Sequence, residues 1–134
     1  MPGMHYIVYT STTSLPLTEA ELSRLLVHWR ANNARLGATG VLLYSEGHIM
    51  QVLEGAAETV HALFGTIETD IRHRGVTKLA DGPVPERAFA DWSMRFRAMD
   101  LADYNRFVHR MKAAPNHASS LAPLLEVFMG PQAW

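Results

Sequence analysis

The sequence contains no cysteine. Disulfides, thiolate nucleophiles and zinc–thiolate sites are thereby excluded, and a reducing, cytoplasmic setting is expected. A basic excess is missing too: 12 Lys+Arg stand against 13 Asp+Glu, a net charge of −1. Phosphate backbones are bound by clustered positive charge, so no nucleic-acid partner is expected. No apolar run approaches the roughly 18 residues of a membrane span, and the N-terminus lacks the pattern of a secretory signal. The seven histidines are scattered without an HExxH-type pair, so no metal site is expected. Walker A and Rossmann glycine fingerprints are absent, which argues against a conventional nucleotide cradle.

What is present suits one domain: 134 residues, 48% of them hydrophobic, enough for a sizeable core. His5-Tyr6-Ile7-Val8-Tyr9 reads as a first strand. Thr18-Glu19-Ala20-Glu21 is a capping-box signature opening a helix. Its apolar stripe is Leu22, Leu25, Leu26, Trp29 and Leu36, and Gly37 is its C-cap. Val41 to Tyr44 is a second strand, and Ser45-Glu46-Gly47 suits a hairpin into a third over roughly 48–54. Gly55 is expected to break that strand. Val60, Leu63, Phe64, Ile67 and Ile71 share one face of a second helix. Val76 to Leu79 is a fourth strand, Gly82-Pro83-Val84-Pro85 a stiff loop, and Trp92, Met94 and Phe96 alternate along a fifth strand.

The order βαββαββ points to an α+β, ferredoxin-like arrangement: a mixed five-stranded sheet with two helices on one face. After Arg97 the pattern changes to two short helices, Leu101 to Ala113 and Leu121 to Phe128. They are read as a cap over the other sheet face, giving a domain over 1–97 and a helical extension over 98–134. Apolar residues such as Phe128, Met129 and Trp134 suggest an interface and a homo-oligomer.

Gln51 is the anomaly. It interrupts the apolar run His48-Ile49-Met50-Gln51-Val52-Leu53, where an unmatched buried amide costs about 1–3 kcal/mol. A satisfied core amide or a water-facing edge position would explain it. Tyr9 shares a face with Ile7 and His5 and reads equally as a core tyrosine. Asn32 and Asn33 fall at a helix end, where asparagine is common. Trp92 and Met94 are core by default. Taken together, Tyr9, Gln51 and Asn33 can converge on a cleft lined by Leu25, Leu26 and Ile67. Apolar walls with a few amides and a phenol suit a heterocycle carrying C=O, N–H and ring nitrogen. No nucleophile–base–acid set is evident, and Thr10 to Pro16 lacks the Arg that an acylphosphatase-like enzyme needs, so no enzymatic activity is expected.

The sequence resembles BLUF domains, blue-light sensors that use flavin. Five segments carry the resemblance, in order, between about residues 4 and 97: His5 to Ser11, Ala31 to Tyr44, Gln51 to Gly55, Asp70 to Arg74 and Asp91 to Met94. It implies that Tyr9 is the photoactive tyrosine, Gln51 the essential glutamine, and Asn32 and Asn33 the flavin-ring amides. Asp70, Arg72 and His73 match the stretch at the ribityl and phosphate end. That stretch reads equally as a charged helix end. Leu25 and Ile67 are expected against the ring. Trp92 and Met94 match the signalling pair on strand five. The implied cofactor is FAD, with FMN as the alternative; Ala38 and Thr66 depart from the commoner pattern. The implied function is light-driven electron and proton transfer between Tyr9, Gln51 and flavin. The resulting hydrogen-bond switch passes to an unidentified effector protein in trans. The alternative is a light-silent flavin-binding or interaction module of the same fold.

Overall fold

The computed structural model describes residues 4–13, 18–69, 73–84 and 95–113. Strands β1 (Met4–Thr13), β2 (Thr39–Ser45), β3 (His48–Ala56), β4 (His73–Val84) and β5 (Arg95–Ala98) alternate with helices α1 (Glu19–Leu36), α2 (Ala57–Thr69) and α3 (Leu101–Ala113). The sheet order is β4-β1-β3-β2-β5. The first four strands are antiparallel neighbours, and the short β5 runs parallel to β2. Two split βαβ units interleave in this way, which is the ferredoxin-like α+β arrangement.

Local chemistry sets the element ends. The Thr18 hydroxyl accepts from the Glu21 N–H at 3.2 Å, and the Glu21 carboxylate accepts from the Thr18 N–H at 3.3 Å. This reciprocal box satisfies donors that the first helical turn leaves open. At the other end Gly37 takes φ 73°, and the Asn33 carbonyl accepts from Ala38 N–H at 2.9 Å. The β2–β3 hairpin turns through Glu46 and Gly47 at φ 48° and 86°. Two successive positive φ values match the twist of the strands they join.

Alternation along the strands divides the core. Ile7, Tyr9, Leu42, Ile49 and Leu53 face α1 and α2, where they meet Leu22, Leu26, Val60 and Phe64. Tyr6, Val8, Val41, Leu43, Met50 and Val52 face the opposite way and are covered by Tyr104, with Leu101, Phe107 and Val108 of α3 packed alongside. The expected second C-terminal helix, 121–128, lies outside the described residues.

Several sequence expectations need correction. Gly55 does not end β3; it pairs with His5 inside the strand. A Cβ there would meet the Gly37 carbonyl at 3.4 Å and a Val60 methyl at 3.5 Å, ordinary contact distances, so the glycine neither breaks the strand nor is demanded by its neighbours. Gly82, Pro83 and Val84 belong to β4 rather than a loop. An edge strand has one unpaired side, so a residue without an N–H is tolerated there. Leu36, placed on the buried stripe of α1, is exposed, because it faces the open groove beside Arg35 rather than the sheet.

Candidate flavin site between the two helices

Tyr9 and Gln51 lie directly opposite one another on the central strands β1 and β3. Opposed residues on one face have Cβ atoms about 4.5–5.5 Å apart, so register alone brings phenol and amide together. The Tyr9 hydroxyl donates to Gln51 Oε1. Both residues are buried. The alternative that Gln51 sits on a water-facing edge is overturned, since β3 has strands on both sides. The β1–β4 register shifts between Val8 and Tyr9, and such bulges re-aim side chains near functional sites. The Phe64 ring meets Tyr9 edge-on, with centroids 5.6 Å apart.

Above this pair α1 and α2 part to leave a slot of about 140 Å³. Tyr9, Leu42, Gln51 and Leu53 form its floor, His28, Trp29, Asn32 and Asn33 the wall from α1, and Leu63, Thr66 and Ile67 the wall from α2. A wider outer groove of about 520 Å³ continues it through the shared residues Asn32, Leu63 and Thr66, and is edged by Arg35, Glu58 and Thr59. Slot and groove together reach the roughly 300–1,000 Å³ of small-molecule pockets.

The polar groups are held from outside the slot. Arg35 Nη2 donates to Asn32 Oδ1 at 2.6 Å. Asn33 is buried while its carbonyl caps the helix, so its helix-end and slot-lining readings hold at once. Gln51 Oε1 is taken by the phenol, which turns the NH₂ end of the same amide away from Tyr9. Apolar walls with amides at one end fit a planar heterocycle with alternating donors and acceptors.

Of the residues singled out in the sequence, the structure brings Tyr9, Asn32, Asn33, Gln51 and Ile67 to the slot. Leu25 is half-buried and is not among the lining side chains. Leu26 packs in the core beneath. His73 opens β4 opposite Thr13, while Asp70, Arg72, Trp92 and Met94 lie outside the described residues. Sequence reasoning missed His28, Leu42 and Leu53 as lining, and read Trp29 and Leu63 only as core stripe. His28 was signalled by helical spacing, since 28, 29, 32 and 33 share one face. Leu42 needed the β2–β3 register, which places it opposite Gln51.

Comparison with known proteins agrees with this geometry. Residues 4–95 match the BLUF family, described as sensors of blue light using FAD. The chain belongs to the BLUF family of blue-light flavin sensors. It is 37% identical over 81 residues to the photoactivated adenylate cyclase subunit beta of Euglena gracilis, covering 60% of this chain and 9% of that protein. The chain thus spans about a tenth of the length of that relative. The dark-state structure of the BLUF protein BlrB superposes with TM-score 0.72 at 28% identity, covering 94% of this chain and 95% of that one. A bacterial light-regulated adenylyl cyclase superposes with TM-score 0.69 at 28% identity, covering 94% of this chain and 36% of that one.

Proposed function

We propose that this protein senses blue light through a flavin held between α1 and α2, with Tyr9 and Gln51 as the relay that converts absorption into a hydrogen-bond switch. The observation that carries the reading is the Tyr9 hydroxyl donating to Gln51 Oε1 at the floor of the slot. Asn32, Asn33 and Gln51 are the amides that would hold the ring, with Leu63, Ile67 and Trp29 against its faces. A bound flavin supplies the absorption of blue light and, once excited, a strong demand for an electron and a proton.

The chain's own part follows from its donors and acceptors. The Tyr9 phenol is a hydrogen-bond donor with its proton aimed at the Gln51 carbonyl oxygen, so the amide is placed to pass a proton or reorient when that proton moves. Turning the Gln51 amide over exchanges its carbonyl for its NH₂. Tyr9 then faces a donor instead of an acceptor, and the slot faces a carbonyl instead of an amine. A buried network cannot leave either mismatch unrepaired, so neighbouring groups re-pair. Met50 and Val52 flank Gln51 and face the α3 side of the sheet, which gives the change a route through β3. Trp92 and Met94, just before β5, are the proposed signalling pair. Asp70, Arg72 and His73 are proposed for the ligand's tail. The output is proposed to pass to an effector in trans; the light-regulated cyclase, in which this fold is one part of a longer chain, supports coupling of the fold to an effector.

The test is spectroscopic. Tyr9→Phe should retain bound flavin and its yellow colour but lose the light-induced red shift. Gln51→Leu should do the same. A normal shift in either variant rejects the relay, and a wild-type protein that stays colourless with added flavin favours the light-silent module.

A further inference from the structure

Three side chains outside the slot meet from three different elements. His5 lies near the start of β1, Asp81 on β4 and His61 in α2. The β1–β4 register sets His5 diagonal to Asp81, through Ile7↔Asp81 and His5↔Pro83. His5 Nε2 contacts Asp81 Oδ1, and His61 Nε2 lies 3.2 and 3.3 Å from the two carboxylate oxygens. The imidazole centroids are 4.7 Å apart. Lys78 Nζ holds the same carboxylate at 2.7 Å.

The tautomer of His61 is decisive. Its Nδ1 stands 2.8 Å from the Ala57 carbonyl, which can only accept, so Nδ1 carries a hydrogen. In a neutral imidazole that leaves a lone pair on Nε2, facing a carboxylate that also only accepts. A metal ion between them would satisfy both. A backbone carbonyl behind Nδ1–H is also the arrangement that orients and strengthens metal-bound histidines. The three candidate ligand atoms all lie within 4.8 Å of one another. Ligands on one tetrahedral zinc stand about 3.4 Å apart, a difference that small side-chain rotations cover.

We propose that His5, His61 and Asp81 form a binding site for a divalent transition metal of the zinc type, with Lys78 leaving Asp81 as the metal enters. Two imidazoles and one carboxylate suit such ions and not calcium or magnesium, which favour all-oxygen shells. His61 and Lys78 are partly exposed, so the ion has an open path and Lys78 has room to withdraw. No local motif announces the site, because its ligands are distant in sequence. Lys78 also lies 5.0 Å above the Phe64 ring, which itself meets Tyr9, so its withdrawal reaches the packing of the slot.

Calorimetric titration of zinc chloride into tag-free, chelator-treated protein tests the site. One zinc per chain is expected, with no heat from magnesium chloride. His61→Ala, on an exposed helix face, should weaken binding more than about tenfold, the lower bound set by losing even an outer partner of a zinc ligand. Lys78→Met should tighten it several-fold, because the competing ammonium is gone. Far-UV dichroism checks that both variants fold. No saturable binding to the wild type, unchanged affinity in His61→Ala, or unchanged or weaker binding in Lys78→Met would each overturn the proposal.

Discussion

Asp81 receives His5, His61 and Lys78 on its two oxygens. Partial burial alone would raise its pKa, but the hydrogen bonds from Lys78, His5 and His61 outweigh that and hold it well below the usual carboxylate range. The folded state therefore binds this proton less tightly than the unfolded chain, whose Asp titrates near ~3.9. The stability so gained is present above that value and drains away as pH falls through it toward the depressed folded pKa. Asp81→Asn should flatten the acid limb of a plot of urea midpoint against pH, measured below about pH 5. An unchanged acid limb would show that the cluster contributes nothing to stability. At this scale the sequence was informative for one pair and silent for the other cluster. Tyr9 and Gln51 announce themselves because period-two alternation makes a buried amide conspicuous. Asp81 sits beside Gly82-Pro83, a context that reads as a loop, so nothing local marks its partners.

Gly40 decides how closely β2 and β3 approach. A Cβ there would lie 1.9 Å from the Val52 carbonyl oxygen, and its φ of 156° is one that L residues rarely adopt. Gly40→Ala must therefore shift backbone against backbone, costing about 3 kcal/mol. The same shift would disturb the Leu42↔Gln51 pairing two residues on. The variant should melt at lower temperature and hold less flavin when purified. Wild-type melting and flavin content would show that the strands can part without consequence. Helix α1 and the hairpin are legible in sequence because their ends are written in local chemistry: Thr18 and Glu21, Gly37, and Glu46-Gly47. Strand β4 is legible in its middle, Val76 to Leu79, but not in its length, since its edge position tolerates the Gly and Pro that would end an interior strand. Leu25 fails as a lining residue for a related reason. Helical spacing gives the buried face, but only the tilt of α1 decides which turn borders the slot.

Both faces of one sheet are covered, and they carry different tasks. The slot lies under α1 and α2, while the opposite cluster of Tyr6, Val8, Val41, Leu43, Met50 and Val52 is closed by Tyr104 of α3. Tyr104 is 4% exposed, its ring lies 5.8 Å from that of His48 at the hairpin, and burial pushes its phenol up beyond the ordinary tyrosine range. Strand alternation keeps this contact away from Tyr9 and Gln51 while β3 supplies residues to both faces. Tyr104→Ala should therefore cost stability without emptying the slot. Truncating a buried aromatic to Ala costs about 3–5 kcal/mol, which for a domain of this size lowers the melting temperature by roughly 10–20 °C. Thermal melts followed by far-UV dichroism measure the loss, and the flavin spectrum of the same sample, dark and illuminated, reports on the site. A melting temperature near that of the wild type would mean that α3 rests on the sheet without stabilising it. An unchanged light-induced shift with slowed or accelerated dark recovery would place α3 on the route by which the switch at Gln51 reaches the far face, since Met50 and Val52 flank Gln51 in β3 and belong to that face's cluster.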